Sequence, residues 1–302
     1  VSFDKPIEGA VQTVTVNYVD ATGNPATDSA PTDSAKLDTN APTLTNAAVG
    51  LSIAISTDTD NDGYVNTAEL ATATQFTSHI GINSTAVAGD KVLISATNDG
   101  TALPRITHVL TAAEIANGGF DVTFDKPAEG KIQNVSATYA DAAGNPATDA
   151  PKTDSATLDT IAPNSGNAPT VTITTDTNND GTVNSTELGE GSTFSVNAGF
   201  DKAKVAVGDV VTFSDGVTTT SVTLTQADID NGFASATFTK PAEGATQTIT
   251  ATIRDAAHNQ TAPGSDSATL DTTAPNGGVA PTVTITTDTN NDGWVNIAEL
   301  GN

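Results

Sequence analysis

The sequence predicts an all-β protein built as a tandem array of small sandwich domains. Three observations carry that prediction. Every strongly patterned segment alternates apolar and polar residues with period two, turn residues separate these segments at about ten-residue intervals, and long stretches of text recur at the spacing of a whole domain.

The strands come first. VQTVTVNYV at 11–19, KVLISA at 91–96, DVVTFSD at 209–215, TSVTLT at 220–225 and TQTITATI at 246–253 all alternate, as a strand with one buried face must. DG, NG, EG and GN pairs punctuate them, supplying the positive φ that tight turns need. Only TAAEIANGG at 111–119 and TQADIDNG at 225–232 suggest a helical turn.

The repeats set the domain length. FDKPIEG at 3–9 returns as FDKPAEG at 124–130 and FTKPAEG at 238–244. VDATGNP at 19–25 returns as ADAAGNP at 140–146 and, degraded, as RDAAHNQ at 254–260. DSAKLDTNAP at 33–42 returns as DSATLDTIAP at 154–163 and DSATLDTTAP at 266–275. Asp38 and Asp159 hold one place 121 residues apart, and Asp159 and Asp271 hold it 112 apart, a period too long for a solenoid repeat. Each DTxAP stretch reads as a boundary, because proline ends a strand and stiffens a connection. The expected domains are therefore two complete repeats, 43–163 and 164–275, with the C-terminal part of a repeat at 1–42 and the N-terminal part of another at 276–302. About seven short strands per repeat argue an immunoglobulin-like sandwich. The opening VSFDKP reads as mid-strand, and the chain reads as a window on a longer array.

Composition narrows the function classes. Acidic residues outnumber basic ones 36 to 11, for a formal net charge of −25. A surface so negative repels nucleic acid and anionic membranes and favours cations. Aromatics are 4% of the chain, which suits thin small-residue cores better than a large apolar pocket. Cysteine is absent, so a bound metal is the obvious alternative staple. No apolar run is long enough for a transmembrane helix.

The chemistry lies in a loop. TDTDNDGYVNTAEL at 57–70 returns as TDTNNDGTVNSTEL at 175–188 and TDTNNDGWVNIAEL at 287–300. Each fits the twelve-residue calcium template of oxygen ligands at positions 1, 3, 5, 7, 9 and 12 with glycine at 6. The first copy offers Asp58, Asp60, Asp62, the Tyr64 carbonyl, Asn66 and Glu69 around Gly63. The second offers Asp176, Asn178, Asp180, Thr182, Asn184 and Glu187 around Gly181; the third offers Asp288, Asn290, Asp292, Trp294, Asn296 and Glu299 around Gly293. Plain Asx-turns would account for the glycine but not for the glutamate at position 12. The long flanking helices of an EF-hand are missing, which predicts a calcium clip on a β scaffold rather than a sensor.

A second set recurs at the boundaries: Glu129, Asp141 and Asp159 with Asp154 in the middle copy, Glu8, Asp20, Asp38 and Asp33 in the first, and Glu243, Asp255, Asp271 and Asp266 in the third. Carboxylates gathered at one pole repel, and a bridging cation relieves the repulsion. The competing reading makes each a solvated turn or cap residue. His79, His108 and His258 are scattered and form no evident triad or zinc set.

These features resemble the Ig-like extender repeats of large bacterial surface adhesins of the Bap-like and RTX adhesin type. The resemblance rests on the D-x-x-G-N turn, the L-D-T-x-A-P boundary, the acidic loops and the lack of cysteine, and spans essentially the whole chain. It implies a cell-surface or biofilm-matrix location, calcium-dependent rigidity, export of an unfolded chain, and calcium at the junction through Glu129, Asp141 and Asp159. His258 for glycine and Gln260 for proline depart from the pattern and weaken the expectation at Asp255. The sequence thus predicts a non-enzymatic, calcium-stabilised spacer whose partners are its neighbouring repeats, with no nucleic acid and no membrane insertion. A filament body contacting other copies, and a carbohydrate-binding module, are the alternatives; few aromatics argue against the latter.

Overall fold

A computed structural model describes residues 1–42 and 50–301; the expected boundary at residue 43 lies outside them. The chain divides into two units. Unit 1 comprises Val1–Ile161 with Ala257–Asn259, and unit 2 comprises Ala162–Ala256 with Gln260–Asn302.

Unit 1 opens with β1 (Val11–Thr15) and β2 (Thr32–Lys36), an antiparallel pair. Then follow β3 (Ser52–Ile55), β4 (Tyr64–Val65), the single turn α1 (Thr67–Leu70), β5 (Gln75–Gly81), β6 (Lys91–Asn98), β7 (Thr101–Ala102) and β8 (Ile106–Val109). Helix α2 (Ala112–Asn117), β9 (Gly119–Asp125), β10 (Ile132–Ala140) and β11 (Lys152–Leu158) complete it. One sheet runs β3-β5-β9; the other runs β4-β11-β10-β6-β7, with β8 also on β6. The alternation of KVLISATN sends Val92, Ile94 and Ala96 inward, where they meet Phe76 and Ile80 of the facing sheet.

Unit 2 repeats this plan with β12 (Thr170–Ile173), β13 (Thr182–Val183), α3 (Ser185–Leu188), β14 (Thr193–Gly199), β15 (Val210–Ser214) and β16 (Thr219–Thr223). Helix α4 (Gln226–Asn231), β17 (Phe233–Thr239), β18 (Thr246–Arg254) and β19 (Gly264–Leu270) close it. Its sheets are β12-β14-β17 and β13-β19-β18-β15-β16. Four phenylalanines pair in the cores: Phe76 faces Phe124 across β5 and β9, and Phe194 faces Phe238 across β14 and β17, cross-strand pairs that stabilise a sheet. The protein is all-β, with immunoglobulin-like sandwiches, as the alternation predicts.

Two local expectations differ. The alternation at 11–19 predicts a nine-residue strand, yet β1 ends at Thr15. Its counterpart β10 runs the full nine residues because β6 pairs along one edge and β11 along the other, whereas β1 pairs with β2 alone among the described residues. The first two calcium-like loops also run into one helical turn, where no helix was expected. Asn66 and Asn184 cap α1 and α3, and Glu69 and Glu187 return the bond as capping boxes, so N-x-x-E in the sequence already encoded the turn.

Candidate functional site

The three loops share one hydrogen-bond network. Asp58 Oδ2 accepts from the Gly63 N–H at 2.9 Å, and Oδ1 accepts from the Asp62 N–H at 3.2 Å. Asp176 and Asp288 accept from Gly181 and Gly293, each at 2.8 Å. The residue before each Asn-Asp-Gly aspartate is left-handed, with φ of 56° at Asn61, 57° at Asn179 and 54° at Asn291, and the glycines follow at 88°, 84° and 81°. Asparagine and glycine tolerate these angles, so N-D-G winds the chain tightly around the first aspartate.

The distal glutamates close the ring. Glu69 Oε1 accepts from Thr59 N at 2.8 Å and Oε2 from Asn66 N at 3.1 Å. Glu187 takes the same bonds from Thr177 and Asn184, each at 3.1 Å, and Glu299 takes them from Thr289 and Asn296 at 3.1 and 3.0 Å. The network forms at 287–300 as it does in the complete repeats, so it is encoded locally.

In the first loop Asp58, Asp60 and Glu69 bring carboxylate oxygens within 4.8 Å of one another. Burial pushes the Asp58 carboxyl above its usual range, with the charges of Glu69 and Asp62 adding to it. Backbone donation from Asn184 and Asn296 instead holds Glu187 and Glu299 low. Asp62 and Asp180 each commit one oxygen to the N–H two residues on, Tyr64 and Thr182, leaving the other available. Asn178 and Asn290 stand where the first loop has Asp60, and their Oδ1 atoms accept from Asp180 and Asp292. The Asn66, Asn184 and Asn296 oxygens accept from the N–H two residues on, that of Ala68, Thr186 or Ala298, so at position 9 an ion would be met through water, as in many calcium loops.

The loop is tied to the repeat boundary. β4 pairs in parallel with β11, Tyr64 opposite Thr157 and Val65 opposite Leu158. The ladder uses the Gly63 and Val65 carbonyls, which accept from Thr157 and Asp159. Carbonyls alternate along a strand, which turns that of Tyr64 away from β11. Thr182 has the same place between Gly181 and Val183, whose carbonyls accept from Thr269 and Asp271. Thr67 Oγ1 adds a bond to the Thr160 carbonyl.

The second set does not gather as expected. Glu129 and Asp141 lie just beyond opposite ends of the nine-residue β10, about 30 Å apart at 3.3 Å per residue, and cannot share an ion. Glu129 instead joins the boundary after β11, accepting from Thr160 N at 2.6 Å and Oγ1 at 2.8 Å. Glu8 clamps Thr39 and Glu243 clamps Thr272 alike. The threonine hydroxyl is the foremost cause holding Glu8 and Glu243 low. Burial raises the Asp159 carboxyl, and Glu129 adds to the rise.

Asp141 closes its own turn, taking Gly144 N, Asn145 N and Asn145 Nδ2, each at 2.8 Å. Against the opposing pull of burial, those bonds hold it low. Asp20 makes the equivalent bonds with Asn24, whose side chain is the main cause of its lowered value. The turn faces a different boundary: Asn145 Nδ2 donates to the Asp38 carbonyl at 3.1 Å. Within the same unit Asn259, of the turn begun by Asp255, donates to the Asp159 carbonyl at 2.8 Å and accepts from Thr67 N at 3.1 Å. The junction grouping is thus Glu8 and Asp38 with the Asp141 turn, rather than Glu129, Asp141 and Asp159. Asp154 and Asp266 serve elsewhere, accepting from Ile55 N and Ile173 N to join the sheets. Asp33 and Asp271 accept from nearby backbone N–H groups, Ser34 and Thr273.

One residue at the first loop had no role in the sequence reading. His258 Nδ1 lies 3.2 Å from Asp60 Oδ2 and 3.7 Å from Asp62 Oδ2. Its departure from the D-x-x-G-N pattern was the available signal. Of the aromatic pair at position 7, Trp294 is 80% exposed and Tyr64 half-buried.

No family model matches the chain, and no curated protein matches it. Among solved structures it is similar to one from a 1.5-MDa bacterial ice-binding adhesin, at 22% identity over 88% of this chain and 76% of that one, with a TM-score of 0.35. It is similar to the chicken CNTN1 FN1–FN3 domains at 11% identity over 86% and 76%, TM-score 0.39. The Clostridium thermocellum CbhA fibronectin(III)-like modules match at 14% identity over 70% and 90%, TM-score 0.34. No helix among the described residues is long and apolar enough to cross a membrane.

Proposed function

We propose that the chain is a calcium-stabilised spacer of a cell-surface adhesin: tandem sandwiches, at 43–163 and 164–275 with partial repeats on either side, that hold a binding tip away from the cell. The observation that carries this reading is the loop of the first repeat, where Asp58, Asp60 and Glu69 converge within 4.8 Å. Three converging carboxylates repel unless a cation lies among them, and hard oxygens at EF-hand spacing suit calcium.

The mechanism is mechanical. Asp58, Asp60, Asp62 and Glu69 and their counterparts would hold the ion, which would supply the charge that neutralises the loop, with the carbonyl of position 7, in β4 or β13, as a further ligand. That strand is hydrogen-bonded to the last strand of its repeat and to the boundary residue that follows it, Asp159 or Asp271. Ordering the loop therefore orders the boundary. At the junction within unit 1, the Asn145 bond to Asp38 sets where the next repeat begins, and Glu8, Asp38 and Asp141 are the carboxylates available to a second ion. Sites of extracellular type bind calcium at about 10⁻⁴–10⁻³ M, which suits an extracellular, surface or matrix location.

The test is thermal unfolding with small-angle scattering of the full chain, in calcium and then in chelator. The reading predicts a higher melting temperature and a straighter, longer particle in calcium. If neither quantity moves, the loops are ordinary turns and the reading fails.

A further inference from the structure

The first loop differs from the other two in what lies against it. The third D-x-x-G-N turn carries histidine where the first two carry glycine, and His258 keeps the left-handed angle, φ 70°, against 90° at Gly23 and 98° at Gly144. Histidine is among the few non-glycine residues that adopt this angle, so the turn survives the exchange and the imidazole is set against the first loop. It reaches Asp60 and Asp62, and the three ligand atoms lie within 4.8 Å of one another. Neither other loop offers Asp60's counterpart, because Asn178 and Asn290 take that place.

The distances discriminate between an ion pair and a metal site. His79 approaches Asp121 at 2.7 Å and His108 approaches Glu114 at 2.8 Å, ordinary hydrogen bonds to a single carboxylate. His258 instead sits between two carboxylates at 3.2 and 3.7 Å. Ligands about 2.1 Å from a tetrahedral ion lie about 3.4 Å from one another, and these separations bracket that value. We propose that Asp60, Asp62 and His258 form a site for a borderline divalent ion of the zinc class, a mixed nitrogen and oxygen set that calcium, which prefers oxygen alone, does not favour. Asp60 and Asp62 also belong to the calcium set of the first loop, so the two ions compete for them and the zinc titration is made without calcium. Water completes the coordination.

The experiment uses the full chain, isotopically labelled, titrated with zinc while the imidazole signals of its three histidines are followed by NMR, with calorimetry in parallel. His258→Gly serves as the variant, since it restores the residue the turn prefers and so keeps the fold. The site predicts that one equivalent of zinc shifts the His258 imidazole and leaves His79 and His108 in place. It also predicts that His258→Gly weakens that equivalent at least about tenfold, the scale on which metal sites respond to lost support. Equal response of all three histidines, no response at His258, or an unchanged zinc isotherm in His258→Gly overturns it. The loops at 175–188 and 287–300 contain no histidine, so calcium binding measured there stands or falls separately.

Discussion

Replacing Asp58 by asparagine separates what the first loop does with calcium from what it does without. The side chain is 6% exposed, accepts from two backbone N–H groups, and carries a carboxyl whose value burial has raised. In chelator the substitution has two opposed effects. Asparagine has one oxygen for two donors and leaves one N–H poorly paired, costing about 1 kcal/mol, while removing a buried charge beside Glu69 and Asp62 offsets much of that cost. The net change without calcium is therefore small. In 10 mM calcium the wild-type loop, at a dissociation constant of about 10⁻⁴–10⁻³ M, gains about 1.4–2.7 kcal/mol by mass action. For a unit of this size that is a rise of about 3–11 °C in melting temperature. If the lost charge weakens binding to about 10 mM, the gain falls to about 0.4 kcal/mol. Hydrogen exchange across a thermal series, read separately for the two units, measures this with unit 2 as internal control. A variant stabilised by calcium as much as the wild type would refute the reasoning, because the stabilising ion would then bind elsewhere.

Other expectations follow from the comparison of repeats. Ala71 closes α1 at φ 47°, ψ −110°, where the second repeat uses Gly189 at 55°, −131°; Ala71→Gly should stabilise unit 1 by about 1 kcal/mol, measurable by denaturant titration. Asn145→Ala removes the bonds of its side chain to the Asp38 carbonyl and the Asp141 carboxylate and should cost about 2 kcal/mol, seen as faster exchange of the β1–β2 amides with the β6–β10 core unchanged. The Thr225 hydroxyl and N–H hold the Asp228 carboxyl low. With a folded value below the unfolded one, its contribution is complete above the unfolded value and is lost as pH falls through the folded value. A carboxyl-detected NMR titration should find Asp228 titrating below solvated aspartates such as those of a short peptide.

What could be read from the sequence was whatever is local. Period-two runs, turn pairs and the text repeats predict the sandwiches, and the calcium-template spacing predicts the loop whose network then forms even at 287–300. Two things escaped. The junction carboxylates recur together in the text, and only the run of β10 reveals that Glu129 and Asp141 occupy its opposite ends. His258 reaches Asp60 from almost two hundred residues away, a contact no spacing encodes. The single helical turn of α1 was a different miss: N-x-x-E was legible, but the calcium template claimed both residues first.

Entry of calcium into the loops is read out at the glycine amides of position 6. Gly63, Gly181 and Gly293 each donate to the first aspartate of their loop, and coordination of that carboxylate must repolarise the bond. In a calcium titration of the labelled full chain, the account predicts that all three amide resonances move and saturate by millimolar calcium. Glycines in turns without this loop, such as Gly216 and Gly232, should stay in place. Three loop glycines that remain still while calcium is added would contradict it.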